Sequence, residues 1–290
     1  MASDILLHDA TAAAIENVLS QPPHALLITG QTGTGKMTVA RHIARQLLHL
    51  PAAELDSYPY LRLISPIDGK AIAIETVREL QPFLTLKVPG RQAVSRLVVI
   101  EQAHFMTTEA QNSLLKTLEE PPLNTVIILT ASSPDAMLVT IQSRVRQLPV
   151  TTPAISQTRE YFTTQGFSGG AIDKTMLMSG GLPGLTHALL TEPENHPLYA
   201  ATVQAREILR ASNFERLALV DGLSKQKQLC SDTLFILMQM ARMSLMRQTG
   251  EQTKAAERWQ SVLTTAYGAD QALRANTQAK LVLTDLMLNV

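Results

Sequence analysis

A single cysteine, Cys230, is the only thiol in this 290-residue sequence. One thiol excludes a disulfide framework within the chain and a cysteine-based zinc site, and it fits a reducing compartment, so a cytoplasmic location is expected. Charge is scarce too. Charged residues make up 17% of the chain, below the usual quarter, and 25 basic residues balance 25 acidic ones. That balance argues against a strong basic field for gripping nucleic acid alone, although it leaves room for a local patch. Long apolar runs are missing as well: none approaches the ~18 residues of a membrane-crossing helix, and no signal peptide is legible, so no membrane partner is expected. What is plentiful is apolar content, 45%, in a chain long enough for two or three domains. With so little charge, much of the surface is expected to be covered by partners. Cys230 lies in an apolar helical stretch and reads as a small core residue rather than a reactive thiol.

The strongest motif is Gly30-Gln31-Thr32-Gly33-Thr34-Gly35-Lys36, a phosphate-cradling loop followed by Met37 and Thr38. In G-x-x-x-x-G-K-[ST], backbone N–H groups hold phosphates, the lysine reaches the terminal phosphate oxygens and the hydroxyl binds Mg²⁺. Met37 stands at the hydroxyl position, and its soft thioether is a poor ligand for a hard cation. The context fits a working cradle. An apolar run, Ala25-Leu26-Leu27-Ile28, precedes the glycines, and a helical periodicity follows them, so a helix N-terminus is aimed at phosphate.

Across the first 150 residues, strand-like runs at 25–28, 61–64, 97–100, 126–130 and 147–150 alternate with helical patterns at 35–50, 74–84 and 108–118. That alternation predicts an α/β P-loop domain with a parallel sheet over 1–150. A composition break at Thr151-Thr152-Pro153 opens a small helical segment, 151–197, and the remainder, 198–290, reads as purely helical. Within 234–247, Leu234, Leu237, Met238, Ala241 and Leu245 form one apolar stripe, and Ile236, Met240 and Met243 form a second. Such a helix is buried on more than one side, either as the centre of a bundle or partly against a neighbouring subunit.

Three further constellations carry chemistry. Leu97-Val98-Val99-Ile100 runs into Glu101 and Gln102, where a P-loop ATPase places its metal-side acid and its general base. Glu101 is one methylene longer than the usual Asp. Gln102 cannot accept a proton, and loss of a positioned base typically costs 10²–10⁴-fold, although some GTPases use Gln to orient water. His104 reads as a hydrogen-bonded structural residue. The second constellation is Leu114-Leu115-Lys116-Thr117-Leu118-Glu119-Glu120-Pro121-Pro122, a helix stopped by a double proline. The third joins the strand-end residues around Ser132 to Thr140-Ile141-Gln142-Ser143-Arg144.

Together these stretches resemble the clamp-loader branch of the AAA+ ATPases, within it the bacterial DNA polymerase III delta-prime subunits, with the gamma/tau subunits as close relatives. The likeness is strong over 24–150 and extends more weakly to the end. It implies a nucleotide-binding domain (1–150), a helical lid (151–197) and a helical collar (198–290) that joins subunits in a ring. It implies that Arg144, matching the arginine of the Ser-Arg motif, acts in trans as an arginine finger on a neighbour's ATP. Gly30, Gly33, Thr34, Gly35, Lys36, Met37 and Thr38 match the nucleotide site, Ser132 and Leu185 the sensor-like positions, with Leu185 where the lid arginine is usual. Met37, Glu101, Gln102 and Leu185 weaken four steps of one site. The implied protein is a degenerate ATPase within the DNA polymerase III holoenzyme, a stator that binds ATP or ADP with Mg²⁺ held weakly or not at all. No zinc is expected, because 50–56 carries no cysteine. The implied partners are gamma/tau and delta subunits and, through the complex, a sliding clamp and primer–template DNA. An active gamma/tau-like ATPase and a non-replicative AAA+ adaptor are the alternatives.

Overall fold

A computed structural model describes residues 5–66, 70–88, 93–192, 194, 196–247 and 254–290, and they form two compact units, 1–153 and 154–290. The first begins with α1 (Asp9–Ser20), a helix not assigned from sequence; its N-cap is His8, whose Nδ1 accepts from the Ala10 N–H, an atypical cap. Then follow β1 (Ala25–Thr29), α2 (Lys36–Leu48), β2 (Leu61–Ile64), α3 (Ile74–Arg78), α4 (Leu80–Thr85), β3 (Arg96–Ile100), α5 (Thr108–Glu119), β4 (Thr125–Ala131), α6 (Val139–Gln142) and β5 (Arg146–Pro149). All strand pairs are parallel, in the order β2-β3-β4-β1-β5.

The five strand-like runs read from the sequence all lie in this sheet. β1, β3 and β4 are buried along their whole length, as expected of strands covered on both faces. Alternate residues feed two cores. Leu27, Val98, Ile100, Ile127 and Leu129 meet the helices of one face, including Leu114 and Leu118 of α5. Leu26, Ile28, Leu97, Val99 and Ile128 meet α1 and α2 through Ile15, Val18, Ile43 and Leu47 on the other. Each such fully buried side chain stabilises the unit by about 1.5–3 kcal/mol.

The single helix expected over 74–84 is instead two, broken at Glu79. Pro82 explains the break: it has no N–H to give to the carbonyl of Arg78, and its ring crowds that carbonyl. The second unit contains α7 (Ile155–Thr164), α8 (Gly169–Ser179), α9 (Pro183–Leu190), α10 (Tyr199–Arg210), α11 (Asn213–Ser224), α12 (Lys227–Arg247), α13 (Lys254–Arg274) and α14 (Ala279–Asn289). Here α12 is the central helix. Leu234, Ile236, Leu237, Met240, Ala241 and Met243 are all buried inside this unit, whereas Met238 and Leu245 of the first stripe are only partly buried. Cys230 is buried in the same core, and burial pushes its thiol up to about 11, which makes it unreactive. No described helix is long and apolar enough to cross a membrane.

Candidate nucleotide-binding site and sheet edges

Parallel strands gather their carboxyl ends along one edge, and loops there collect functional groups. β1 delivers Gly30 to this edge, and the Gly30 N–H donates to the carbonyl of Ala131 at the end of β4 (3.3 Å). The loop then turns through Gly33 (φ 87°) and Gly35 (φ 88°), left-handed conformations that favour glycine, and α2 starts at Lys36. Thr34 is buried and stiffens the turn: its Oγ1 donates to the Gln31 carbonyl at 2.8 Å. Strand, tight turn and helix N-terminus thus stand in the arrangement required for an anion.

Lys36 folds back into the loop. Its Nζ donates to the carbonyls of Gly30 (2.7 Å) and Gln31 (2.9 Å), two acceptors standing in for phosphate oxygens. Burial lowers its pKa to about 8, against the opposing pull of the Glu101 carboxylate. Met37 turns away from this chemistry and packs against the core formed by α1, α2 and the sheet. Thr38 is exposed one residue later.

Glu101 follows β3 directly. Its N–H donates to the Ile64 carbonyl at 2.7 Å, and its Oε2 accepts from the Ser65 hydroxyl at 2.8 Å, which fixes the carboxylate at the edge beside Lys36. Gln102 takes a left-handed backbone (φ 49°), and its N–H donates to Thr130 Oγ1 at 2.9 Å. The backbone at Gln102 is therefore tied to β4. His104 departs from the sequence expectation. Its Nδ1 is buried with no hydrogen-bond partner among the described residues, and its ring tilts against Phe105 at 4.8 Å. Burial and the neighbouring Lys36 both lower its pKa, so it stands as a neutral imidazole.

Gly30, Gly33, Thr34, Gly35, Lys36, Glu101 and Gln102 thus come together on the carboxyl edge. Ser132 is exposed just past the end of β4. Thr130, part of the run Ile128-Leu129-Thr130-Ala131-Ser132 legible from the sequence, is buried and bonded to Gln102 at that strand end, whereas Ser65 carries no sequence signal of its own. Each is a hydroxyl at or next to the carboxyl end of a parallel strand. Leu185 is fully buried in the helical core of the second unit, in the first turn of α9.

Arg144 lies elsewhere. It lies two residues before the start of β5, whose Arg146 is in register with Leu26 near the start of β1, so it stands at the amino edge of the sheet. The P-loop leaves the opposite edge. Across a five-residue strand, at roughly 3.3 Å per residue, the two edges are separated by about 15 Å. The Arg144 guanidinium pairs with Glu119 at the end of α5 (2.7 Å) and donates to the Thr140 carbonyl (2.9 Å) and the Ser143 hydroxyl (3.1 Å).

Residues 12–154 match the family model described as DNA polymerase III, delta subunit. The DNA polymerase III subunit delta' of Pseudomonas aeruginosa is 32% identical over 183 residues, 57% of this chain and 55% of that one. The subunit delta' of Bacillus subtilis is 34% identical over 139 residues, 43% and 41% of the two chains. The chain is thus matched to about half the length of these curated relatives. A DNA polymerase III gamma subunit-related protein from Thermotoga maritima superposes with a TM-score of 0.55 over 97% of this chain and 98% of its own, at 19% identity, a likeness of fold.

Proposed function

We propose, from the premise that this chain is a relative of the DNA polymerase III delta-prime subunits, that it is a delta-prime-like stator of a bacterial sliding-clamp loader. It organises the ring, contacts gamma/tau and delta subunits, and supplies Arg144 to the ATP of an adjacent gamma-type subunit. Clamp and primer–template DNA are met through the assembled complex. The supporting observation is the division of chemistry between two sheet edges. The chain's own P-loop edge keeps Lys36 and a preorganised loop but carries Met37 and Gln102, whereas the one arginine matching a finger stands at the far edge, out of reach of that loop. A guanidinium placed there is out of reach of a nucleotide in the chain's own loop and is partly exposed toward another molecule. In this reading 151–197 acts as lid and 198–290 as collar.

The test is reconstitution. The chain should co-purify with delta and gamma/tau subunits in a defined complex, and failure to enter it would favour a non-replicative adaptor. Alone, the purified chain should show no ATP turnover above background, with or without Lys36→Ala. Turnover that Lys36→Ala abolishes would instead support an active gamma/tau-like ATPase. That second reading draws on Glu101, which Ser65 holds beside Lys36 at the metal side of the site.

Nucleotide binding without turnover has a pH signature. The ammonium of Lys36 must be protonated to hold phosphate, and in the empty loop it loses its proton around pH 8. Affinity for ATP or ADP should therefore fall about tenfold between pH 7 and pH 9, with proton uptake on binding above pH 8. Calorimetry in two buffers of different ionisation enthalpy measures both; a flat affinity profile would remove Lys36 from the phosphate contacts.

A further inference from the structure

Arg144 is not a free cation waiting for a partner. Its Nη1 donates to Thr140 O and Ser143 Oγ, both on the turn that carries it, and these bonds locate the stem of the guanidinium. The Arg144 carbonyl is itself bonded to His24 Nε2 at 3.1 Å, which ties the turn to the start of β1. The remaining contact is different in kind. Nη2 meets Glu119 Oε1 at 2.7 Å, and the two side chains are 34% and 50% exposed. Glu119 comes from another element, the last residue of α5 before the Pro121-Pro122 stop.

We propose that Glu119 is the resting counter-ion of Arg144: it occupies the guanidinium edge that a terminal phosphate of the adjacent subunit's nucleotide takes over when the interface closes. The inference rests on the reading of Arg144 as a trans-acting group. A carboxylate and a phosphate present the same acceptor geometry to the planar fork of arginine, so one can replace the other without moving the stem. The exchange is energetically open, because a pair this exposed is worth a factor of about five or less in an equilibrium. The more highly charged phosphate outcompetes the carboxylate once it arrives. Until then Glu119 neutralises Arg144 and keeps its fork aimed along the sheet edge. Glu119 is thus a positioning residue that competes with the neighbour's nucleotide, and it touches no reacting atom.

Competition makes a signed prediction. In the reconstituted loader, Glu119→Gln keeps the shape and an acceptor oxygen but removes the competing charge. The KM for ATP should fall about two- to fivefold with kcat changed by less than twofold, and the difference should shrink as salt is raised from 50 mM to 500 mM. The double variant Glu119→Gln/Arg144→Ala should match Arg144→Ala alone, since there is no longer a guanidinium to compete for. An unchanged or raised KM in Glu119→Gln, or a fall in kcat, would overturn the proposal. The two levels separate cleanly. If Arg144→Ala leaves loader turnover intact, the trans-acting reading fails and this inference with it. If Arg144→Ala lowers turnover while Glu119→Gln leaves KM in place, only the counter-ion role of Glu119 fails.

Discussion

On the trans-acting role proposed for Arg144, Arg144→Ala is expected to slow ATP hydrolysis at the adjacent subunit's site by about 10³-fold or more, the scale at which arginine fingers act in related phosphoryl transfers. The chain itself should still fold and still enter the complex. Arg144 is a surface side chain whose contacts are Glu119, Thr140 O and Ser143 Oγ, and exposed contacts of this kind contribute about 1 kcal/mol or less to folding. The catalytic loss is large for a different reason. A guanidinium delivered into a closed, water-poor interface holds the bound phosphate and also stabilises the charge that builds on it in the transition state. Steady-state turnover of a loader with several ATP sites dilutes the effect, so single-turnover hydrolysis is the proper readout. Wild-type rates in that assay would remove Arg144 from the site.

The second large effect is on stability and involves no chemistry. Gly180 closes α8 with a left-handed backbone (φ 62°) and sits directly against α12. A Cβ there would lie 2.2 Å from Cβ of Gln239, 2.8 Å from its carbonyl carbon and 2.9 Å from its carbonyl oxygen. The overlap is with helix backbone, so no rotamer change relieves it; α8 or α12 has to shift. Adding the left-handed penalty for alanine, Gly180→Ala should destabilise the helical unit by about 3–5 kcal/mol. Against a typical total of about 5–15 kcal/mol this is severe. Urea or thermal unfolding followed by circular dichroism measures it, with Gly222→Ala as the control. Gly222 lies within α11 with open space around its missing Cβ, and alanine there should stabilise by about 0.5–1 kcal/mol. Equal stability of the Gly180 and Gly222 variants would mean that the α8–α12 contact is not as tight as described.

Part of the difference between these glycines is legible along the chain: Gly180 opens the turn-rich run Gly180-Gly181-Leu182-Pro183-Gly184, whereas Gly222 stands inside a helical pattern. The close approach of Gln239, 59 positions beyond Gly180, is not legible there. The same holds for α12. Its two apolar stripes stated that it is buried on several sides, but two kinds of neighbour could meet them; the core of its own unit covers most of both and leaves Met238 and Leu245 partly open. Pro82 gave a local signal that the 74–84 periodicity outweighed, and the proline ended the first helix at Arg78. Ser65 carried no motif of its own, and Thr130 stood only within a strand end running into small polar residues. They matter because parallel registers put Ile64 beside Ile100 and Ile28 beside Thr130, which gathers several strand ends into one edge.

Residue order alone carries the alternation of strand and helix, the glycine loop between β1 and α2, and the presence of Met37 and Gln102 at motif positions where a hydroxyl and an acid are usual. These features rest on interactions between residues a few positions apart: periodicity, turn-forming glycines and the chemistry of one side chain at one place in a motif. Tertiary structure decided the rest. It brought Glu101 within electrostatic reach of Lys36, 65 positions apart along the chain, and put Arg144 at the opposite edge with Glu119 against it. Which edge a side chain reaches, and which charge it meets there, follows from strand direction and register, and those are set by packing between distant segments.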